Sequence, residues 1–129
     1  MTLQTGEGEA EASRPRRSGG WTDDSACRFV EALVTLVFQV DLAELRRRSR
    51  GRAPVALARQ TAMYLAHVHL GLSLERAGRG FGRDRTTVAH ACRRVEDSRD
   101  DPSFERVLTQ LETALQCWKR SVAAEEQAP

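Results

Sequence analysis

The segment SLERAGRGFGRDRTTVAHACRRVED, residues 73–97, restricts this chain more than any other stretch. Ser73 and Asp84 are both residue types whose side chains accept hydrogen bonds from the free N–H groups of a helix start. Phe81–Gly82–Arg83 between them reads as a tight turn. The predicted elements are therefore a short helix over Leu74–Gly80 and a longer one over about 85–99. In the longer helix Val88, Ala91, Cys92 and Val95 fall at i, i+3, i+4 and i+7, a stripe that has to face a core. The opposite face presents Arg85, Thr86, Ala89, His90, Arg93 and Asp97. A short helix, a glycine turn and a longer capped helix make a helix-turn-helix, spanning about 73–99.

The rest of the chain has to supply the core beneath that stripe. Thr22 is a candidate N-cap, with Asp23 and Asp24 where the helix dipole favours acids. It predicts a helix over about 23–38 with Phe29, Val30, Leu33, Val34 and Val37 inward. Asp41 caps a second short helix, AELRRR, and Gly51 and Pro54 break the arginine run after it. A third helix over about 54–70 turns Ala58, Ala62, Leu65 and Ala66 inward, and Gly71 ends it. A last amphipathic helix over about 103–122 carries Phe104, Val107, Leu108, Leu111, Leu115 and Trp118 on one face; Trp118 suits the core, or a dimer surface if that helix is exposed. No stretch alternates as a strand would. The expected class is all-α: a leader without periodicity over 1–20, read as disordered, one helical domain over 21–122, and a frayed tail over 123–129.

Net charge is only +2, but residues 46–94 hold twelve arginines against Glu75 and Asp84, a local +10, with acidic stretches on both sides. Concentrated positive charge is the footprint of a polyanion binder, nucleic acid first among them. It is also what a solvated arginine-rich face looks like, and charge alone does not choose. Near the start of the second helix stand Arg83, Arg85, Thr86 and Thr87, with His90 one turn later. Arginine reaches guanine O6 and N7 with two hydrogen bonds, and threonine offers a methyl to thymine or a hydroxyl to phosphate. The bland reading of the same residues is the outer face of a helical bundle.

A longer pattern separates the two. VFQVDLAELRRRSRGR, ARQTAMYLAH and SLERAGRGFGRDRTTVAHACRRVE together resemble the C-terminal DNA-binding domain of the bacterial replication initiator DnaA. The last string is similar to that family's Gly-Arg-Asp-His-Thr-Thr-Val run followed by His-Ala-Cys. The resemblance implies a compact helical domain that binds double-stranded DNA, at sites like the family's nine-base box, as a regulator of transcription or replication initiation. It implies base reading by Arg85, Thr86 and His90. Backbone contacts fall to Arg46, Arg47, Arg48, Arg50, Arg52, Arg59, Arg83, Thr87, Arg93 and Arg94. Two departures stand out: Leu57 occupies the place of a minor-groove arginine, and Arg85 that of a base-reading histidine, after a turn one glycine shorter.

No GxxxxGK[ST] loop occurs, so the expectation is the reading head as a stand-alone protein, without the ATPase module. No catalytic constellation, cofactor or metal site is expected. His67 and His69 lie two apart on a helix and do not face each other, and the same spacing argues against a His90–Cys92 pair. Cys27, Cys92 and Cys117 read as small buried hydrophobes in a reducing compartment. With no membrane span or signal peptide, the expected location is the cytoplasm, on the nucleoid. The competing reading is a protein-interaction module that keeps this fold and binds the initiator or another acidic partner. A homodimer fits either reading.

Overall fold

A computed structural model describes residues 17–18, 21–47 and 53–126. Six helices follow a minimal hairpin: β1 (Arg17–Ser18), β2 (Trp21–Thr22), α1 (Asp23–Phe38), α2 (Leu42–Arg46), α3 (Ala53–Tyr64), α4 (Leu74–Phe81), α5 (Arg85–Ser98) and α6 (Pro102–Glu126). The hairpin pairs Ser18 with Trp21 in antiparallel register, inside and beside the segment read as a leader without structure. Its two-residue strands are too short to leave a sequence signal.

Helix α1 starts as the capping residues dictate. Thr22 Oγ1 accepts from the Ser25 N–H at 3.1 Å, and Ser25 Oγ accepts from the Thr22 N–H at 3.0 Å, a reciprocal box. The helix ends where Gln39 enters the left-handed region at φ 56°. Ala26, Cys27, Val30 and Val34 are buried, and Glu31 with them, but Val37, expected in the core, is 41% exposed near the C-terminal end of the helix. That carboxylate is held by Arg46, at 2.7 Å and 3.3 Å, and by Arg28 Nε at 3.0 Å. Burying a charge is tolerated only with such partners. Cys27 is buried and Cys92 half-buried, whereas Cys117 is exposed, contrary to its expected burial.

Helix α3 runs through the centre. Val55, Ala58, Thr61, Ala62, Met63 and Tyr64 are all buried, and the Thr61 hydroxyl satisfies itself on the Leu57 carbonyl at 2.8 Å. The last turn of α3, residues 61–64, is covered on every side, while Ala53 and Pro54 at its start are exposed and Arg59 and Gln60 are half-buried. Its alanines let α1 and α5 approach closely. The helix then continues as a wider i→i+5 turn over Leu65–His69, closed by Leu70 N–H on the Leu65 carbonyl at 3.1 Å. Gly71, at φ +76°, reverses the chain.

Helix α6 closes the opposite side. Phe104, Leu108, Leu111 and Leu115 are buried, and Trp118 stacks on Phe29 at 4.4 Å with Trp21 5.1 Å away. Trp118 is thus a core residue, and with Val122 also packed inward the helix persists to Glu126, beyond its expected end at 122. Arg99, just past α5, binds Glu105 at 2.9 Å, Glu112 at 3.1 Å and the Tyr64 hydroxyl at 2.9 Å. His69 adds a 2.6 Å contact to Glu112. Burial opposes ionisation of Glu112, but the hydrogen bonds from Arg99 and His69 outweigh it and hold its carboxyl below the usual 4.5.

Because the folded state lowers that pKa, Glu112 stabilises the fold above about pH 4.5 and loses its contribution as pH falls below that value. Glu112→Gln should cost about 1–3 kcal/mol at pH 7 by urea denaturation, with the gap to the parent narrowing toward pH 3. A gap that stays constant across this range would show that the ionised carboxylate is not what the site uses. At the turn between α4 and α5, a Cβ on Gly78 would lie 2.5 Å from the Arg83 carbonyl oxygen. Gly78→Ala should therefore destabilise by about 1–3 kcal/mol, although alanine is the better helix former; an unchanged denaturation midpoint would mean the turn has room to relax.

Candidate nucleic-acid interface

The geometry of α5 follows from its two ends and its buried face. Asp84 Oδ1 accepts the Thr87 N–H at 2.8 Å, and that bond, with the Thr87 hydroxyl, keeps the Asp84 carboxyl below its ordinary range. Val88, Ala91 and Val95 are buried and Cys92 half-buried, so the apolar stripe lies on the core as the spacing requires. The remaining surface of the helix faces outward. Arg85, Thr86, Thr87, His90, Arg93 and Arg94 are all exposed.

Helix α4 sets the angle at which α5 is presented. Ser73 Oγ accepts the Arg76 N–H at 3.1 Å, and Gly82 takes the left-handed φ of +68° that ends the helix. Arg83 N–H then returns to the Gly78 carbonyl at 2.8 Å, which closes the end of α4 and fixes the turn that leads into α5. Arg76 reaches Asp23 at the start of α1 through two hydrogen bonds of 2.6 Å and 2.8 Å. Arg28 of α1 donates to the Gly80 carbonyl. The helix-turn-helix is thereby braced from behind by α1 and from below by α3.

The arginines divide into two groups that the sequence does not distinguish. Arg46 and Arg59 were expected among the phosphate anchors. Arg46 instead pairs with buried Glu31. Arg59 donates to the Leu45 and Glu44 carbonyls at 2.9 Å and 3.1 Å, closing the last turn of α2 from inside. Burial, then the nearby charge of Arg83, lowers the Arg59 pKa from its usual value. Free C-terminal carbonyls are ready acceptors for a guanidinium, and these two lie within reach of Arg59. Arg83 is half-buried and reaches the Arg47 carbonyl at 2.6 Å, tying the turn to the basic loop. Arg47 caps α2 with its backbone and is exposed. Arg48, Arg50 and Arg52 lie outside the described residues. Leu57 is half-buried against the core.

The structure brings together on one surface Arg85, Thr86, His90, Arg93 and Arg94, with Thr87 and Arg83 at the rim. No hydrogen bond or ion pair to the described residues engages the side chains of Arg85, His90, Arg93 or Arg94. Sequence reasoning missed Arg79, which is exposed and lines an open groove with Gly78, Gly82, Arg83, Asp84 and Thr87. Its place one turn after Arg76 gave no sign that one of the two would be paired and the other not. Among the described residues, no group of three His, Cys, Asp or Glu could hold a metal ion, and no helix is long and apolar enough to cross a membrane.

Known proteins with the same pattern are initiators. The chromosomal replication initiator protein DnaA of Microcystis aeruginosa is 39% identical over 85 residues, 64% of this chain and 19% of its own length. The initiator of Symbiobacterium thermophilum is 39% identical over 84 residues, again 64% of this chain and 18% of its own. That of Gloeobacter violaceus is 35% identical over 106 residues, 81% of this chain and 23% of its own. The chain thus spans about a fifth of the length of these relatives. The family model described as the bacterial dnaA protein helix-turn-helix matches residues 28–95, more than half of the sequence. By that match, which runs from α1 through the buried stripe of α5, the chain belongs to the bacterial DnaA helix-turn-helix family.

Proposed function

We propose that this chain binds double-stranded DNA sequence-specifically, with α5 in the major groove, and acts as a regulator of transcription or replication initiation. One observation carries the reading: α5 is anchored by its apolar face and capped at Asp84, while its outer face offers Arg85, Thr86 and His90 in a row of unengaged polar groups. A rigid helix whose polar side chains have no internal partners can meet base edges without first breaking bonds in the protein. Arg85, Thr86 and His90 read bases. Arg47, Thr87, Arg93 and Arg94 hold phosphates, with Arg83 at the rim of the same surface. Membership in the bacterial DnaA helix-turn-helix family supports the assignment.

Arg85 stands at the first position of α5, where a guanidinium can take the two acceptors of a guanine. Fluorescence anisotropy at fixed moderate salt, on a DnaA-box duplex, its scramble and a random pool, tests the reading. Preference for the box, or for a site selected from the pool, supports it. Failure to bind any duplex overturns it and points to a protein partner. On the preferred site Arg85→Ala should cost about 1–3 kcal/mol and relax the discrimination there. If the loss were equal on every sequence, Arg85 would be holding phosphate and not reading a base.

Arg93 and Arg94 should behave differently. Replacing either by alanine should weaken binding to specific and scrambled duplexes alike, and flatten the dependence of log K on log salt by about one unit per arginine. An unchanged salt slope in both variants would remove them from the interface.

A further inference from the structure

Helix α4 carries two arginines one turn apart with opposite fates. Arg76 is largely buried and committed to Asp23. Arg79 is exposed, and among the described residues no hydrogen bond or ion pair engages its side chain. The guanidinium groups of Arg28, Arg46, Arg59, Arg76, Arg83 and Arg99 all have protein partners. Arg79 therefore resembles the arginines on the outer face of α5, although it belongs to the supporting helix.

Its position is defined by the turn. The Gly82 N–H bonds back to the Arg79 carbonyl at 3.4 Å and Arg83 N–H to the Gly78 carbonyl at 2.8 Å, which folds the end of α4 against the start of α5. Between them runs the open groove whose walls are Gly78, Arg79, Gly82, Arg83, Asp84 and Thr87. Nothing lies within 4 Å of where a Cβ on Gly82 would point, so the floor there is open to solvent. Asp84 is the one acid on the wall, and its carboxylate is occupied by the Thr87 backbone N–H at 2.8 Å. With two arginines against one ionised carboxylate, the groove carries a net positive charge beside the N-terminus of the helix that presents Arg85 and Thr86.

We propose that Arg79 holds a backbone phosphate of the DNA strand that flanks the recognition helix, with the groove along Arg83 and Thr87 as the path of that strand. This rests on the DNA-binding reading above. When a helix enters the major groove by its N-terminal end, the sugar–phosphate backbones pass on either side of it, and the preceding helix crosses one of them. A free guanidinium at the end of that preceding helix is where such a backbone would be met. Arg79 then contributes affinity and register, not sequence preference.

The test compares parent, Arg79→Ala, Arg79→Lys and Arg85→Ala by anisotropy on preferred and scrambled duplexes across a salt series. Arg79 has no internal partner, so its replacement leaves the fold intact, and circular dichroism serves as the check. Arg79→Ala should weaken both duplexes by the same factor, roughly threefold to tenfold at 0.1 M salt, and lower the salt slope by about 0.9. Arg79→Lys, which keeps the charge, should restore the slope. A scan of duplexes each bearing one neutral methylphosphonate then locates the contact. At one or two adjacent positions the substitution should weaken the parent and leave Arg79→Ala unaffected. Arg79→Ala with the parent's slope and scan, beside an Arg85→Ala that loses binding, overturns the role of Arg79 and leaves the DNA reading standing. A parent that binds no duplex even at low salt overturns both.

Discussion

Everything in this domain hangs on the burial of α3, whose last turn, residues 61–64, is enclosed completely. A helix that exposes only a few atoms of Val55, Ala58, Ala62, Met63 and Tyr64 cannot exist without neighbours, and the neighbours it recruits are α1 on one side and α5 on the other. The alanines at 58, 62 and 66 make this contact close. Close packing fixes orientation: side chains that interdigitate over short distances leave little freedom to rotate or slide. The outer face of α5 is held rigid because its inner face is.

Around this apolar centre the charged groups act as struts with defined lengths. Glu31 with Arg46 and Arg28 joins α1 to α2, Arg76 with Asp23 joins α4 to α1, and Arg99 with Glu105 and Glu112 joins the end of α5 to α6. The pairs of Asp23, Glu105 and Glu112 are partly buried, which strengthens them without the full cost of desolvation, whereas Glu31 is buried and tolerated only because two guanidinium groups hold it. Their common effect is to use up a set of arginines inside the protein. Among the described residues, Arg79, Arg85, Arg93 and Arg94 are left outside on the surface formed by α5 and the end of α4, besides Arg47 after α2 and Arg106 and Arg120 on α6. The interface is defined as much by which guanidinium groups are engaged elsewhere as by which are exposed.

The order of the helices, three of their caps and most of their inward faces were legible in the residues, although Asp41 stands at the start of α2 without a side-chain capping bond. Thr22, Ser73 and Asp84 cap as their types require, and Val88, Ala91 and Val95 are buried as their spacing requires. These are local matters, decided by a side chain within three or four residues of the group it serves. The other misjudged points are non-local. Val37 near the end of α1 is exposed, and Glu31 is buried with a partner, Arg46, fifteen residues away. Arg59 turned inward to carbonyls of α2, and Cys117 fell on the outside of a helix whose stripe was otherwise placed correctly.

Sequence by itself determined that this chain is helical, that residues 73–99 form a helix-turn-helix, and which family it joins, because capping, periodicity and motif are written in neighbouring residues. Tertiary structure alone decided which of the arginines are free. Arg76 and Arg79 differ by three positions on one helix, and nothing local tells them apart. What separates them is that Asp23, more than fifty residues earlier, is folded against the first and not the second. A long, flexible cation takes the nearest acceptor, and which acceptor is nearest is known only after the chain has closed on itself.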